Sequence, residues 1–206
     1  MDIKPQIIVE NLKGYHNASS GTQDRLFRGK TYKDLSTICI VPTRGMISAK
    51  VTQCWMGMML PMNQKFTRLF MIGMEVGEAY TNAIDFILVN PELSKWKYIL
   101  TLEEDNMPPP DGLLKLYENI ENYAVIGGLY WTKGEEGQPM IYGDPNDSEF
   151  NFRPQVPVAD IQPCNGLGMG FTLFKLDLFK DPKIEKPWFK TLQEFDPEKG
   201  SRGYPQ

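Results

Sequence analysis

The sequence is short of the residues on which much catalytic machinery depends. Its 206 residues include one histidine, His16, in an N-terminal stretch without hydrophobic periodicity, which argues against a Ser-His-Asp or Cys-His relay. The three cysteines, Cys39, Cys54 and Cys164, are odd in number, widely spaced and free of any CxxC. That pattern supports neither a disulfide framework nor a zinc knuckle, and the three read as small buried hydrophobes. No apolar run approaches the ~18 residues of a membrane span, and MDIKPQIIVENLKG has no basic region leading into an apolar one. The expected location is cytoplasmic. There is no Lys/Arg block and the formal net charge is −4, so nothing favours non-specific binding to nucleic acid or to anionic membrane. No repeat of solenoid period is present.

What is present suits one soluble globular domain: 41% hydrophobic and 23% charged residues over a length sufficient for one core. Residues 1–35, with YHNASSGTQD at their centre, read as an extension lying on a main domain of residues 36–206. TICIV (37–41) is a strand buried on both faces, closed by Pro42. Residues 48–60 form a Met-rich helix ending before Pro61, with Met56 to Met62 assigned to packing. RLFMIG (68–73) is a strand, and residues 78–89 an amphipathic helix ended by Asn90-Pro91. KYILTL (97–102) is a strand. Residues 112–120 form a helix with Asp111 as its cap, and YAVIGGLYW (123–131) is another strand. Alternation of strand and helix predicts an α/β domain with a mostly parallel central sheet, whose ligand crevice lies at the carboxyl ends of the strands. Residues 134–165 read as a long loop or hairpin, and 164–179 as a glycine-rich turn, a strand and a short helix.

The third strand runs into Glu103-Glu104-Asp105 and then three prolines. Adjacent carboxylates repel unless a cation or hydrogen bonds compensate them. Hard oxygen ligands suit Mg²⁺ or Mn²⁺, and an ion with few protein ligands keeps positions for phosphate oxygens, which implies a nucleotide substrate. In extended backbone residues 103 and 105 share one side while 104 points to the other.

The stretch EEDNMPPPDGLLKL resembles the acidic metal segment of GT-A glycosyltransferases, in particular family-2-like enzymes of phages and bacteria. ICIVPTRG is similar to their first strand and nucleotide loop, and GEAYTNAIDFIL to the helix usually written with "ARN". AVIGGLYWTKG and CNGLGMGFTLFKLDLF resemble the later strand and the G-x-G-F turn. The resemblance spans about residues 36–180 and implies a GT-A type three-layer α/β/α sandwich with a mostly parallel central sheet. It also implies a metal-dependent glycosyltransferase, of hexosyltransferase type, using a nucleotide-sugar donor such as a UDP-sugar and an acceptor hydroxyl of unstated kind.

By position the resemblance gives the metal, Mn²⁺ or Mg²⁺, to Glu103 and Asp105. It gives the nucleotide to Pro42, Thr43, Arg44, Asn82, Glu103 and Glu104, and the sugar and acceptor to Gly128, Tyr130, Asn165, Gly168 and Gly170. Thr81 stands where the family carries arginine. The family's base is an acidic pair on a later helix, and the sequence ends where that pair would begin; Asp160, Glu194 and Asp196 are the candidates within it.

The residues leave other readings open. GLGMG is followed at once by a strand, FTLF, which argues against a dinucleotide fingerprint and for a turn that lets backbone approach a sugar or the sheet pack closely. Arg44 fits a surface charge as well as a phosphate contact, and Tyr130, Trp131 and Tyr142 fit the core as well as a stacking platform. The alternatives to transfer are a sugar-phosphate nucleotidyltransferase, which usually wants a longer basic loop than PTRG, and a non-catalytic nucleotide-sugar-binding module.

Overall fold

The computed structural model describes residues 5–9, 33–132, 134, 136–196 and 200–205, with side chains as far as Leu192. Its centre is a six-stranded sheet in the order β1-β3-β2-β4-β8-β5. β1 is Gln6–Val9, β2 Thr37–Thr43, β3 Phe66–Ile72, β4 Tyr98–Leu102, β5 Val125–Gly127 and β8 Phe171–Lys175. β2 lies between β3 and β4, parallel to both. That central place explains why nearly every residue of TICIVPT is buried on either face.

The sheet is mixed, which refines the expectation of a mostly parallel one. Four strands run one way, but only two of the five pairings are parallel. β1 joins β3 antiparallel, and β8 enters antiparallel between β4 and β5. β1 comes from the N-terminal extension, which therefore supplies an edge strand; residues 10–32 of that extension, with His16, lie outside the described residues.

Helices cover both faces. α1 is Ala49–Met56, α2 Val76–Val89 and α3 Gly112–Asn119. Alternation along the strands divides the core: Ile38, Ile40, Leu69 and Met71 pack with Ala79, Tyr80, Ala83, Ile84 and Ile87 of α2. Cys39, Val41, Leu100 and Leu102 pack with Val51 and Trp55 of α1 and Leu113 and Leu116 of α3. Each such fully buried aliphatic side chain contributes about 1.5–3 kcal/mol.

Local chemistry sets the helix ends. Ser48 caps α1, its hydroxyl accepting from Val51 N–H at 3.3 Å. α2 starts two residues earlier than its apolar periodicity predicts, because Glu75 accepts from the N–H groups of Gly77 and Glu78 at 2.9 and 3.1 Å. Asp111 occupies the cap position of α3 but makes no capping bond; its carboxylate pairs with Lys115 at 3.0 Å instead. The methionine cluster is another correction. Met58 is buried, while Met56, Met59 and Met62 are exposed, because α1 stops at Met56 and the following loop docks through its backbone, Met59 N–H donating to Pro110 C=O at 2.7 Å. Among the cysteines only Cys39 is fully buried; Cys54 and Cys164 are half-buried, and none of the three is in a disulfide.

Beyond Gly128 the chain leaves the sheet for about forty residues. This flap contains a two-stranded sheet of β6 (Ile141–Tyr142) and β7 (Gly166–Leu167) and returns to the core as β8. The strand expected over 123–131 is confined to 125–127 for this reason. Thr191–Asp196 (β9) and Gly200–Pro205 (β10) form a final antiparallel hairpin. No helix among the described residues is long and apolar enough to cross a membrane.

Candidate functional site

The carboxyl ends of β2, β3 and β4 open on one edge of the sheet, and the acidic turn after β4 lies there. Bonds from several elements hold it. Glu103 N–H donates to Gly170 C=O at 3.2 Å, and Asn106 N–H closes the turn on Glu103 C=O at 3.0 Å. From α1, Trp55 Nε1 donates to Asn106 C=O at 2.9 Å and Cys54 Sγ to Pro108 C=O at 3.2 Å. Prolines at 108–110 leave no N–H groups to satisfy there, and their carbonyls accept from Cys54 and Met59.

β4 ends at Leu102 and the acidic residues follow in a turn, not in the extended backbone expected from the sequence, yet the three carboxylates still divide. Glu104 turns to β2 and accepts from Thr43 Oγ1 at 2.6 Å, Arg44 N–H at 2.9 Å and Arg44 Nε at 3.1 Å. Burial pushes its carboxyl up, but these hydrogen bonds and the guanidinium outweigh that and hold it below the usual range. Arg44 meets Glu104 through Nε, and its side chain is 94% exposed. Glu103 and Asp105 take the other side.

Two concavities meet at Glu103 and Asp105. The smaller, about 220 Å³, is lined by Pro42, Thr43, Arg44, Met74, Val76 and the acidic triplet. The larger, about 1120 Å³, runs from Val76, Glu103 and Asp105 under the flap to Trp131, Tyr142 and Phe152. The N-terminus of α2 borders both through Val76, yet it is not open to an anion, because Glu75 already takes two of its N–H groups.

Pro42, Thr43, Arg44, Glu103, Glu104 and Asp105 are thus brought together, and Tyr130 and Gly168 line the large cleft. Asn82 lines neither; its amide donates to Glu78 at 3.4 Å. Gly128 sits in the sheet, donating to Phe171 C=O at 2.9 Å. Asn165 braces the flap, its amide donating to Asn151 C=O at 2.9 Å. Gly170 lies behind the wall, its N–H donating to Tyr130 Oη at 2.9 Å. A Cβ on Gly168 or Gly170 would collide with the Tyr130 phenol, so these glycines accommodate a tyrosine. Asp160 is exposed in the flap and lines neither cleft. Glu194 and Asp196 lie on β9, and their side chains are outside the described residues.

Thr81, at the position of the family's arginine, has a structural task. Its hydroxyl donates to Phe189 C=O at 2.9 Å and accepts from Phe189 N–H at 3.2 Å, which fastens the chain entering β9 to α2. Thr191 adds a hydrogen bond to Glu75.

Sequence reasoning missed Tyr80, Phe152 and Phe189, which line the large cleft. Tyr80 falls in the apolar phase of α2 beside Ile84 and Ile87, so its pattern signals core alone. Trp131 is 52% exposed and lines the large cleft, so it is not a core residue. Among the described residues no three His, Cys, Asp or Glu side chains are grouped to hold a metal; Glu103 and Asp105 are the pair that could give oxygens to one. Such a pair fits a hard divalent ion that draws its remaining oxygens from phosphate and water.

No protein-family model matches the sequence, and no curated protein does. Among solved structures the chain is similar to A197 from STIV, with a TM-score of 0.51 and 20% identity over 74% of this chain and 70% of that one. At that identity the likeness concerns the α/β fold alone.

Proposed function

We propose that this protein is a GT-A type, metal-dependent glycosyltransferase that moves a sugar from a nucleotide-diphosphate donor to an acceptor hydroxyl. The observation that carries the reading is the position of Glu103 and Asp105 on the border shared by two clefts at the carboxyl edge of the strands. Among the described residues the smaller cleft is lined by the carboxylates of the acidic turn and the Arg44 guanidinium. Glu103 and Asp105 would hold the cation, Mn²⁺ or Mg²⁺, that accompanies the diphosphate. When bound, the ion supplies Lewis-acid stabilisation of the departing diphosphate.

The protein's own groups do the rest. The braced 42–44 loop gives the nucleotide a fixed wall, with Arg44 presenting an exposed guanidinium to its charge. The large cleft receives the sugar and the acceptor, and its apolar walls keep water from the anomeric carbon. Asp105→Ala is expected to abolish the Mn²⁺-dependent thermal shift given by a nucleotide sugar, as well as turnover. An unchanged shift in Mn²⁺ sinks this reading.

The alternative reading is a donor-binding module without chemistry. Among the described residues the carboxylates lining the two clefts are the three of the acidic turn, and the side chains of the base candidates Glu194 and Asp196 lie outside the described residues. Tight metal-dependent donor binding with neither transfer nor hydrolysis would establish that alternative.

A further inference from the structure

β4 and β8 pair antiparallel from Tyr98 opposite Lys175 to Leu102 opposite Phe171. The next pair in that register is Glu103 with Gly170, and it is only half made. Glu103 N–H donates to Gly170 C=O at 3.2 Å, as a ladder pair requires. The return bond, from Gly170 N–H to Glu103 C=O, is replaced by two others. Glu103 C=O accepts from Asn106 N–H at 3.0 Å, which closes the acidic turn with Glu104 and Asp105 at its corner. Gly170 N–H donates to Tyr130 Oη at 2.9 Å.

Gly170 is buried, so its N–H either has an acceptor within the protein or stands at a cost comparable to a lost hydrogen bond. Two acceptors compete for it. The Glu103 carbonyl, in taking it, would extend the ladder by one pair and open the turn; the Tyr130 phenol, in taking it, leaves that carbonyl to Asn106. The surroundings favour the phenol. Tyr130 stands where the chain leaves the sheet for the flap, its C=O accepting from Met140 N–H at 2.9 Å, and the missing side chains of Gly168 and Gly170 make room for its ring.

We infer that Tyr130 is a positioning residue for the acidic turn: by drawing the Gly170 N–H out of the β4–β8 ladder, its phenol oxygen keeps Glu103 C=O in the turn and so fixes where Glu103 and Asp105 stand. Tyr130 acts here through Gly170 and not by touching donor or metal. That the two carboxylates serve a metal rests on the transferase reading; that Tyr130 decides between turn and ladder does not. The consequence for a metal site is geometric, since two carboxylates share an ion only when the backbone beneath them holds their spacing. Phenylalanine at position 130 keeps the ring and removes the oxygen, which separates this hydrogen bond from the packing of the ring.

The test compares wild type with Tyr130→Phe, both as the full chain, by NMR couplings across hydrogen bonds and by Mn²⁺ titration followed by electron paramagnetic resonance. Wild type is expected to show a coupling from Asn106 N to the Glu103 carbonyl carbon and none from Gly170 N. In Tyr130→Phe the pattern should reverse, with hydrogen exchange at Asn106 at least about tenfold faster and no change over Ile99–Leu102. Mn²⁺ affinity should fall about tenfold, the equivalent of about 1.4 kcal/mol. A phenol with a merely structural role would lower the melting temperature and leave the Asn106 coupling in place, which would overturn the inference. A Gly170–Glu103 coupling already present in wild type overturns it too, whatever the stability of the variant. Mn²⁺ bound equally well by both proteins refutes this inference alone. A coupling that switches in a protein whose wild type binds no Mn²⁺ upholds the role of Tyr130 and refutes only the transferase reading.

Discussion

Replacing Glu104 separates bracing from ligand binding within the acidic turn. In Glu104→Ala three hydrogen bonds disappear, but they do not cost the same. The Arg44 N–H and guanidinium are exposed and recover water, so the ion pair contributes at most about 0–1 kcal/mol. Thr43 is 8% exposed, and although it still accepts from Gly45 N–H at 3.0 Å its own proton loses its acceptor, a penalty of about 1–3 kcal/mol. The expected loss is therefore about 2 kcal/mol, or roughly 4–8 °C in melting temperature for a chain of this size. Urea unfolding at neutral pH reads it directly. The pH dependence has a definite sign. The folded-state carboxyl lies below its ordinary value of 4.5, so the stabilisation is complete above that value and fades as pH falls through the lowered one. Wild type and Glu104→Ala should thus converge in acid. A gap that widens as pH falls, a neutral-pH loss under about 0.5 kcal/mol, or a Thr43→Val/Glu104→Ala cycle with no coupling would refute the brace.

Thr81→Val should release the chain entering β9, lowering stability by about 1–2 kcal/mol and speeding hydrogen exchange at Phe189 before any change in the central strands. Gly170→Ala places a Cβ 2.5 Å from Asn106 Nδ2 and 2.7 Å from the Tyr130 ring, so it should cost about 1–3 kcal/mol in urea unfolding; wild-type stability in this variant would show that Tyr130 is free to move.

The strands most legible in the sequence were those whose burial is local in origin. TICIV and KYILTL are apolar because they lie at the sheet centre, and their runs end where the chain reaches the crevice. The placing of β8 was not legible, because FTLFK pairs equally well with any open edge; its position follows from β4 and β5 leaving a gap between them. Strand alternation anticipated the separation of Glu104 from Glu103 and Asp105, but the triplet lies in a turn after β4, and what turns Glu104 aside is its bonding to Thr43 and Arg44, some sixty residues away and not legible in the sequence. The cleft aromatics were the hardest to read. An exposed Trp131 and a buried Tyr80 leave the same apolar mark in a sequence, and only the flap's path distinguishes them.

The flap departs after β5 and returns as β8, and the two strands hydrogen-bond each other, so its ends meet at a neck sealed by Gly128 N–H on Phe171 C=O. An excursion whose ends are already joined can change length cheaply, since each doubling of a flexible loop adds only about 0.6 kcal/mol of closure entropy. The molecule is therefore laid out as a fixed chassis carrying an exchangeable cassette: the flap can change length and sequence away from Tyr130 and Gly170, which stay because Gly170 C=O braces the acidic turn and Tyr130 holds Gly170.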